Sequence, residues 1–176
     1  VIPDGVLDPV GRKYGMAVSG PQLTLFDYTT KEVIFSVVNT TIASPVRGAK
    51  VIYSATADNF IVAIHTGTQI KIFGSVTTNG STITANGTAW TGTPTANATL
   101  GAVLAANGSF DMVLDSAGAN LYVVAVAGGT SIIVFKVSTS TFASSSATIT
   151  DTVTTSFAPM SVAVQGNVLG VAWVSS

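Results

Sequence analysis

The chain reads as an all-β protein built from repeated units of short antiparallel strands. Three observations predict this. The apolar runs are short, rich in β-branched residues and bounded by turn-forming clusters. The clearest, Leu121–Ala127 (LYVVAVA), is apolar at every position, as a strand covered on both faces must be. The segments also recur in register. Asn59, Asn120 and Asn167 each precede an apolar run, and the last two stand 47 residues apart. Finally, the paired Gly128 and Gly129 separate two such runs, which suits a hairpin and opposes a buried helix.

A second segment repeats alongside the first. Gln22–Phe26 (QLTLF), Gln69–Phe73 (QIKIF) and Ser131–Phe135 (SIIVF) match, and the first two Phe are also 47 residues apart. Asn59 and Asn120 are 61 apart, so the middle repeat carries an insertion. A period in the forties, with each unit made of short strands, belongs to propeller blades. The expectation is about three and a half antiparallel four-stranded blades of a β-propeller. Regularly spaced short strands also suit a β-sandwich, the alternative architecture.

Phe110–Val124 (FDMVLDSAGANLYVV), followed by Gly129–Phe135 (GTSIIVF), resembles the YVTN-type and WD40-like propeller repeat of microbial surface proteins. Ala158–Leu169 (APMSVAVQGNVL) is similar to the opening of another copy. The resemblance implies a propeller body and, for function, a surface or adhesion role.

Taken in order, residues 1–13 hold two prolines and two glycines and read as an N-terminal arm. Residues 14–176 are the repeats. Met16–Ser19 and Gln22–Tyr28 form a hairpin turning at Gly20-Pro21, and Val33–Val38 is an outer strand. Val51–Thr56 and Phe60–Thr66 are the inner strands of the second unit. Residues 77–109 carry no charge and are built from Thr, Asn, Gly and Ala. They read as an insertion facing outward, with outer strands at Ser81–Ala85 and Leu100–Ala105. Met112–Leu114, Leu121–Ala127 and Ile132–Val137 follow, with Asp151–Ser156 as the outer strand of the third unit. Pro159 opens a fourth unit that reaches Trp173. The chain thus starts and stops partway through a unit. It begins with Val rather than Met, which suggests a removed leader or a longer polypeptide.

Composition narrows the function. Charged residues are 9% and the net charge is −1, which excludes the basic surface that nucleic acid requires. Mean hydropathy is high, at +0.56, but no apolar run is long enough for a membrane-spanning helix. There is no cysteine and a single histidine, His65. Neither a thiol nucleophile nor a zinc site of usual donors can be assembled. His65 reads as a strand histidine. Asp111 and Asp115 are too locally placed for a catalytic pair, and Asp115 reads as the cap of its own turn. No cofactor is implied. Asn59, Asn120 and Asn167, one per unit, read as structural repeat positions.

Asn39, Asn79, Asn86, Asn97 and Asn107 all lie in Asn-x-Ser/Thr sequons, candidates for N-glycosylation in an exported protein. The Ser/Thr runs at 138–141 and 144–146 add candidates for O-linked sugars. An unclosed set of blades exposes faces and strand edges that invite association. The expectation is therefore a non-enzymatic extracellular or cell-surface structural or adhesion protein. It would assemble with protein subunits, as a homo-oligomer or filament, or with the rest of a longer chain, and would bear covalent glycans. Alternatives are a phage or viral tail or spike module and a fragment of a secreted propeller hydrolase.

Overall fold

The computed structural model describes residues 4–7, 14–42, 45–101, 104, 109–127, 131–150 and 160–174. The all-β expectation holds: sixteen strands and no helix occur among these residues. The first sheet is a meander of β1 (Asp4–Leu7), β2 (Tyr14–Ser19), β3 (Gln22–Asp27) and β4 (Glu32–Val38). The second starts with β5 (Gly48–Ser54), β6 (Asn59–His65) and the long β7 (Gln69–Thr78). The two ends of β7 then take different partners. Its C-terminal end pairs with β8 (Ile83–Ala85), which continues to β9 (Thr88–Ala89), and its N-terminal end pairs with β10 (Ala98–Gly101). The third sheet is again a meander, of β11 (Phe110–Leu114), β12 (Asn120–Ala127), β13 (Ser131–Ser138) and β14 (Ser144–Thr150). A hairpin of β15 (Met160–Gln165) and β16 (Val168–Trp173) ends the series. All pairings are antiparallel.

The four sheets stack in chain order, with an apolar layer at each junction. Met16, Val18, Leu23 and Leu25 of the first sheet meet Val51, Val62, Ile64 and Phe73 of the second. The opposite face of the second sheet, through Ile61, Ala63, Ile70 and Ile72, meets Leu121, Val123, Ala125 and Phe135 of the third. The opposite face of the third, through Val124, Val126 and Ile132, meets Val162 and its neighbours on the last hairpin. The apolar run of β12 is explained by this: its alternate residues enter two different layers. A two-sheet sandwich does not describe four sheets in series. Among the described residues, no pairing joins the first sheet to the last hairpin.

Several boundaries differ from the expectation. Asp4–Leu7, read as part of an arm, is a strand paired with β2 from Asp4↔Val18 to Leu7↔Gly15. The first sheet is therefore a four-stranded unit rather than a partial one. The prolines and glycines around it hid a four-residue alternation in which Val6 packs on the first layer. The outer strand of the third sheet is Ser144–Thr150, not Asp151–Ser156, which lies outside the described residues. β14 is exposed along its whole length, so it has no apolar pattern to betray it. The insertion is not an outward loop. Ile83, Ala85, Trp90, Leu100 and Leu104 are buried. Trp90 sits in the first layer, edge-on to Phe73 at 5.0 Å, and its indole N–H donates to the Pro21 carbonyl at 2.8 Å. A lone Trp in a polar stretch is a buried anchor because only the interior repays its area.

Aromatic rings also fill space left by glycines. A Cβ on Gly74 would lie 1.8 Å from the ring of Phe142, which packs on the second layer from the β13–β14 turn. Gly74→Ala should displace that ring and destabilise the chain by about 1–3 kcal/mol. Gly101→Ala, whose Cβ meets nothing within 4 Å, should stay within about 0.5 kcal/mol. Urea denaturation of the two variants checks the contrast.

Candidate functional site

The leading strands β1, β5, β11 and β15 are consecutive neighbours through the stack, and they carry the polar ties between sheets. The Asp4 carboxylate accepts from the Val51 N–H at 3.0 Å. Lys50 Nζ lies 3.2 Å from Asp111 Oδ1, and Asp111 Oδ2 accepts from the Val162 N–H at 3.0 Å. Asp111 therefore spends one oxygen on the preceding sheet and the other on the following one. Asp115 caps its own loop, accepting from the Ala119 N–H at 2.8 Å and the Asn120 side-chain amide at 2.7 Å. These bonds, that from Asn120 first, hold its carboxyl below the ordinary range. Both carboxylates are engaged by partners within the fold.

Of the three repeated Asn residues, two share a place and Asn167 stands one residue out of register. Asn59 and Asn120 open β6 and β12, whereas Asn167 lies in the two-residue turn between Gln165 and Val168. The Asn59 Oδ1 is buried without a hydrogen-bond partner.

His65 is completely buried between the second and third sheets, with its ring centroid 5.9 Å from that of Phe110. The Gly67 N–H donates to Nδ1 at 3.0 Å, so the ring proton of the neutral form sits on Nε2. That nitrogen is buried and has no partner. Burial lowers the pKa, and the Arg47 charge lowers it further, against an opposing effect of the His65 backbone. Among the described residues, no group of three or more His, Cys, Asp or Glu could hold a metal, and no helix is long and apolar enough to cross a membrane.

Two of the sequons have a geometry in common that the sequence did not disclose. Asn39 Oδ1 accepts from the Thr41 N–H at 2.9 Å, the Thr41 hydroxyl at 2.7 Å and the Ile42 N–H at 3.1 Å. Asn79 Oδ1 accepts from the Ser81 N–H, the Ser81 hydroxyl and the Thr82 N–H, at 2.9–3.0 Å. In both, the hydroxyl two residues on binds the amide oxygen of an Asx turn. Asn97 Oδ1 accepts from the Gly74 N–H where β8 and β10 part along β7. Asn86 occupies the positive-φ position of a tight turn with Gly87, and its amide donates to the Thr95 carbonyl at 2.7 Å. An N-linked sugar replaces one hydrogen of Nδ2. Asn79 and Asn86 are exposed, whereas the Asn39 Nδ2 is enclosed. Asn107 lies outside the described residues. Of the Ser/Thr runs, Ser138 ends β13 and 144–146 open the exposed β14.

One depression, of about 70 Å³, lies between the first two sheets, lined by Tyr14, Tyr53, Asp58, Asn59, Phe60 and Val76 among others. The Tyr53 hydroxyl donates to the Asp58 carboxylate. Its volume is far below the roughly 300 Å³ at which small-molecule sites begin. A scan against protein-family models and a search of the curated proteins matched nothing.

Two measurements test these assignments. Because the folded pKa of His65 lies below its ordinary 6.5, the unfolded chain binds the proton first. The His65 contribution is whole above pH 6.5 and is lost as pH falls toward the folded value, with a slope of at most about 1.4 kcal/mol per pH unit. His65→Val should flatten the urea midpoint between pH 6.5 and 5, a window above the range in which Asp115 titrates. Separately, Asp111→Ala leaves the Val162 N–H without its acceptor and should cost about 1–3 kcal/mol. Asp111→Asn keeps an acceptor and should cost less, as chemical denaturation at pH 7 will read.

Proposed function

We propose that the chain is a non-enzymatic structural or adhesion module, extracellular or at a cell surface, whose sheets are blades of a β-propeller. The observation that carries this reading is the serial stack. Each inner sheet is covered on both faces by its chain neighbours, and the leading strands adjoin one another as strands around a propeller axis do. The ties along those strands are spent on holding sheets together, which leaves little machinery for chemistry. The low charge, 9% of residues, and the abundance of Ser and Thr suit exported protein, and Asn79 and Asn86 stand where sugars can extend into solvent. The missing blades come from other copies or from the rest of a longer chain.

The deciding experiment is the intact mass of the native protein before and after deglycosylation. We expect a mass above 17.8 kDa that falls in glycan-sized steps, or a longer polypeptide once sugar is removed. A bare, monomeric 17.8 kDa chain recovered from inside the cell would overturn the proposal.

A further inference from the structure

The sheets are copies of one register, and the pairings equate their residues. Asp4 faces Val18 across its hairpin, Lys50 faces Ala63, Asp111 faces Val124 and Ser161 faces Ala172. These four leading-strand residues therefore hold one repeat position. Two residues beyond the facing partner, His65, Val126 and Val174 hold another. Phe26, Phe73 and Phe135, at equivalent points of β3, β7 and β13, hold a third.

Each position has a fixed direction. His65 and Val126 point toward the following sheet and are 0% and 1% exposed. Val174, at the same position, is 59% exposed. Phe73 and Phe135 point back and are buried at 2% and 4% against the preceding sheet. Phe26 is only half-buried, and its ring lies over Gly15 of its own sheet. The polar tie obeys the same rule. An acceptor at the shared leading position takes the N–H of the residue after that position in the next sheet: Asp4 takes Val51, and Asp111 takes Val162. The next acceptor in the series is Ser161 and the corresponding donor is the Gly5 N–H. Both residues are exposed.

We infer that the outer face of the β15–β16 hairpin docks on the outer face of the first sheet of a second copy of this chain, head to tail, with Ser161 opposite Gly5. The inference rests on the reading of the chain as an assembling module. The internal junctions specify the kind of face that fits, another unit of the same register, and in the 176-residue chain a second copy supplies it. The two end faces are the forward and backward faces of the same repeat, and the junction they make continues the register already built twice inside the chain. Among the described residues, the exposed large apolar side chains, Ile149 of β14 apart, belong to these two end units. Leu7, Val33, Ile34 and Val38 belong to the first sheet, and Val168 and Val174 to the last hairpin. Ser161, Ala163, Gln165, Val168, Gly170 and Ala172 alternate away from the layer packed on the third sheet and carry no charge. The contact is heterologous, so it generates a ring or a filament according to whether the rotation closes.

The test is sedimentation of the 176-residue chain over a range of concentrations, with two surface variants. Val168→Asp places a charge on the hairpin face and Val33→Asp places one on the first sheet. Matching thermal melts establish that both remain folded. Wild-type chain should form multiples of its mass, and each variant alone should be monomeric. An equimolar mixture of the two should form dimers and nothing larger, because one sound junction survives per pair. A wild-type chain that is monomeric throughout would overturn both the inference and the assembling reading. Oligomers that survive either variant, or variants that do not rescue each other, would overturn the head-to-tail junction and leave self-assembly standing.

Discussion

The structure depends on one constraint: a sheet that is apolar on both faces must find a partner on both sides. β12 shows it most plainly. Leu121, Val123 and Ala125 enter one layer, and Val124 and Val126 the next. A single sheet of this composition would be insoluble, and two would leave half of its apolar faces wet. Serial stacking is the solution. Polar groups at the junctions are met by the neighbouring unit where they can be, and the half-buried Asp4 and Asp111 are placed so that the next leading strand does so. His65 stands where the other units have Val126 and Val174, and its Nε2 goes unpaired. The chain accepts a polar ring in an apolar layer at that one place.

Much of this was legible before any coordinates. The strands from Tyr14 to Val38, the paired runs around Asn59 and Asn120, and the final hairpin all announce themselves through apolar runs and turn residues, since burial on both faces leaves few alternatives to β structure. What escaped notice lacked that signal. β1 is short and flanked by residues that break strands. β14 is an edge strand with no buried face, and its Ser and Thr read as modification sites. The insertion looked like surface because its apolar residues are sparse. Yet Ile83, Trp90 and Leu100 are spaced along it so that each reaches a layer, and a polar loop with isolated large side chains is better read as a strap than as a fringe.

The candidate sites were less legible, because a motif does not say what its atoms bind. Five sequons suggested sugars. In at least Asn39 and Asn79, the residue pattern that makes a sequon also makes a hydrogen-bonded turn, so the two explanations share one spelling. The relation between Asp111 and Lys50 was invisible for a different reason. Its partners are 61 residues apart and meet only because the leading strands adjoin.

Among the described residues the layers are unequal, and that inequality bears on how the chain comes apart. Fourteen of these residues are buried in each of the first two layers and four in the third. In a quasi-one-dimensional array, stability is close to a sum of unit terms and nearest-neighbour terms. Opening should therefore begin at the thin junction and run inward. Amide exchange would be fastest in Met160–Trp173 and slowest in β6, which has full layers on both sides. The same hairpin that offers itself to a partner is the one least secured to its own chain. Capture by a neighbour would thus raise the protection of residues that the isolated chain holds most loosely.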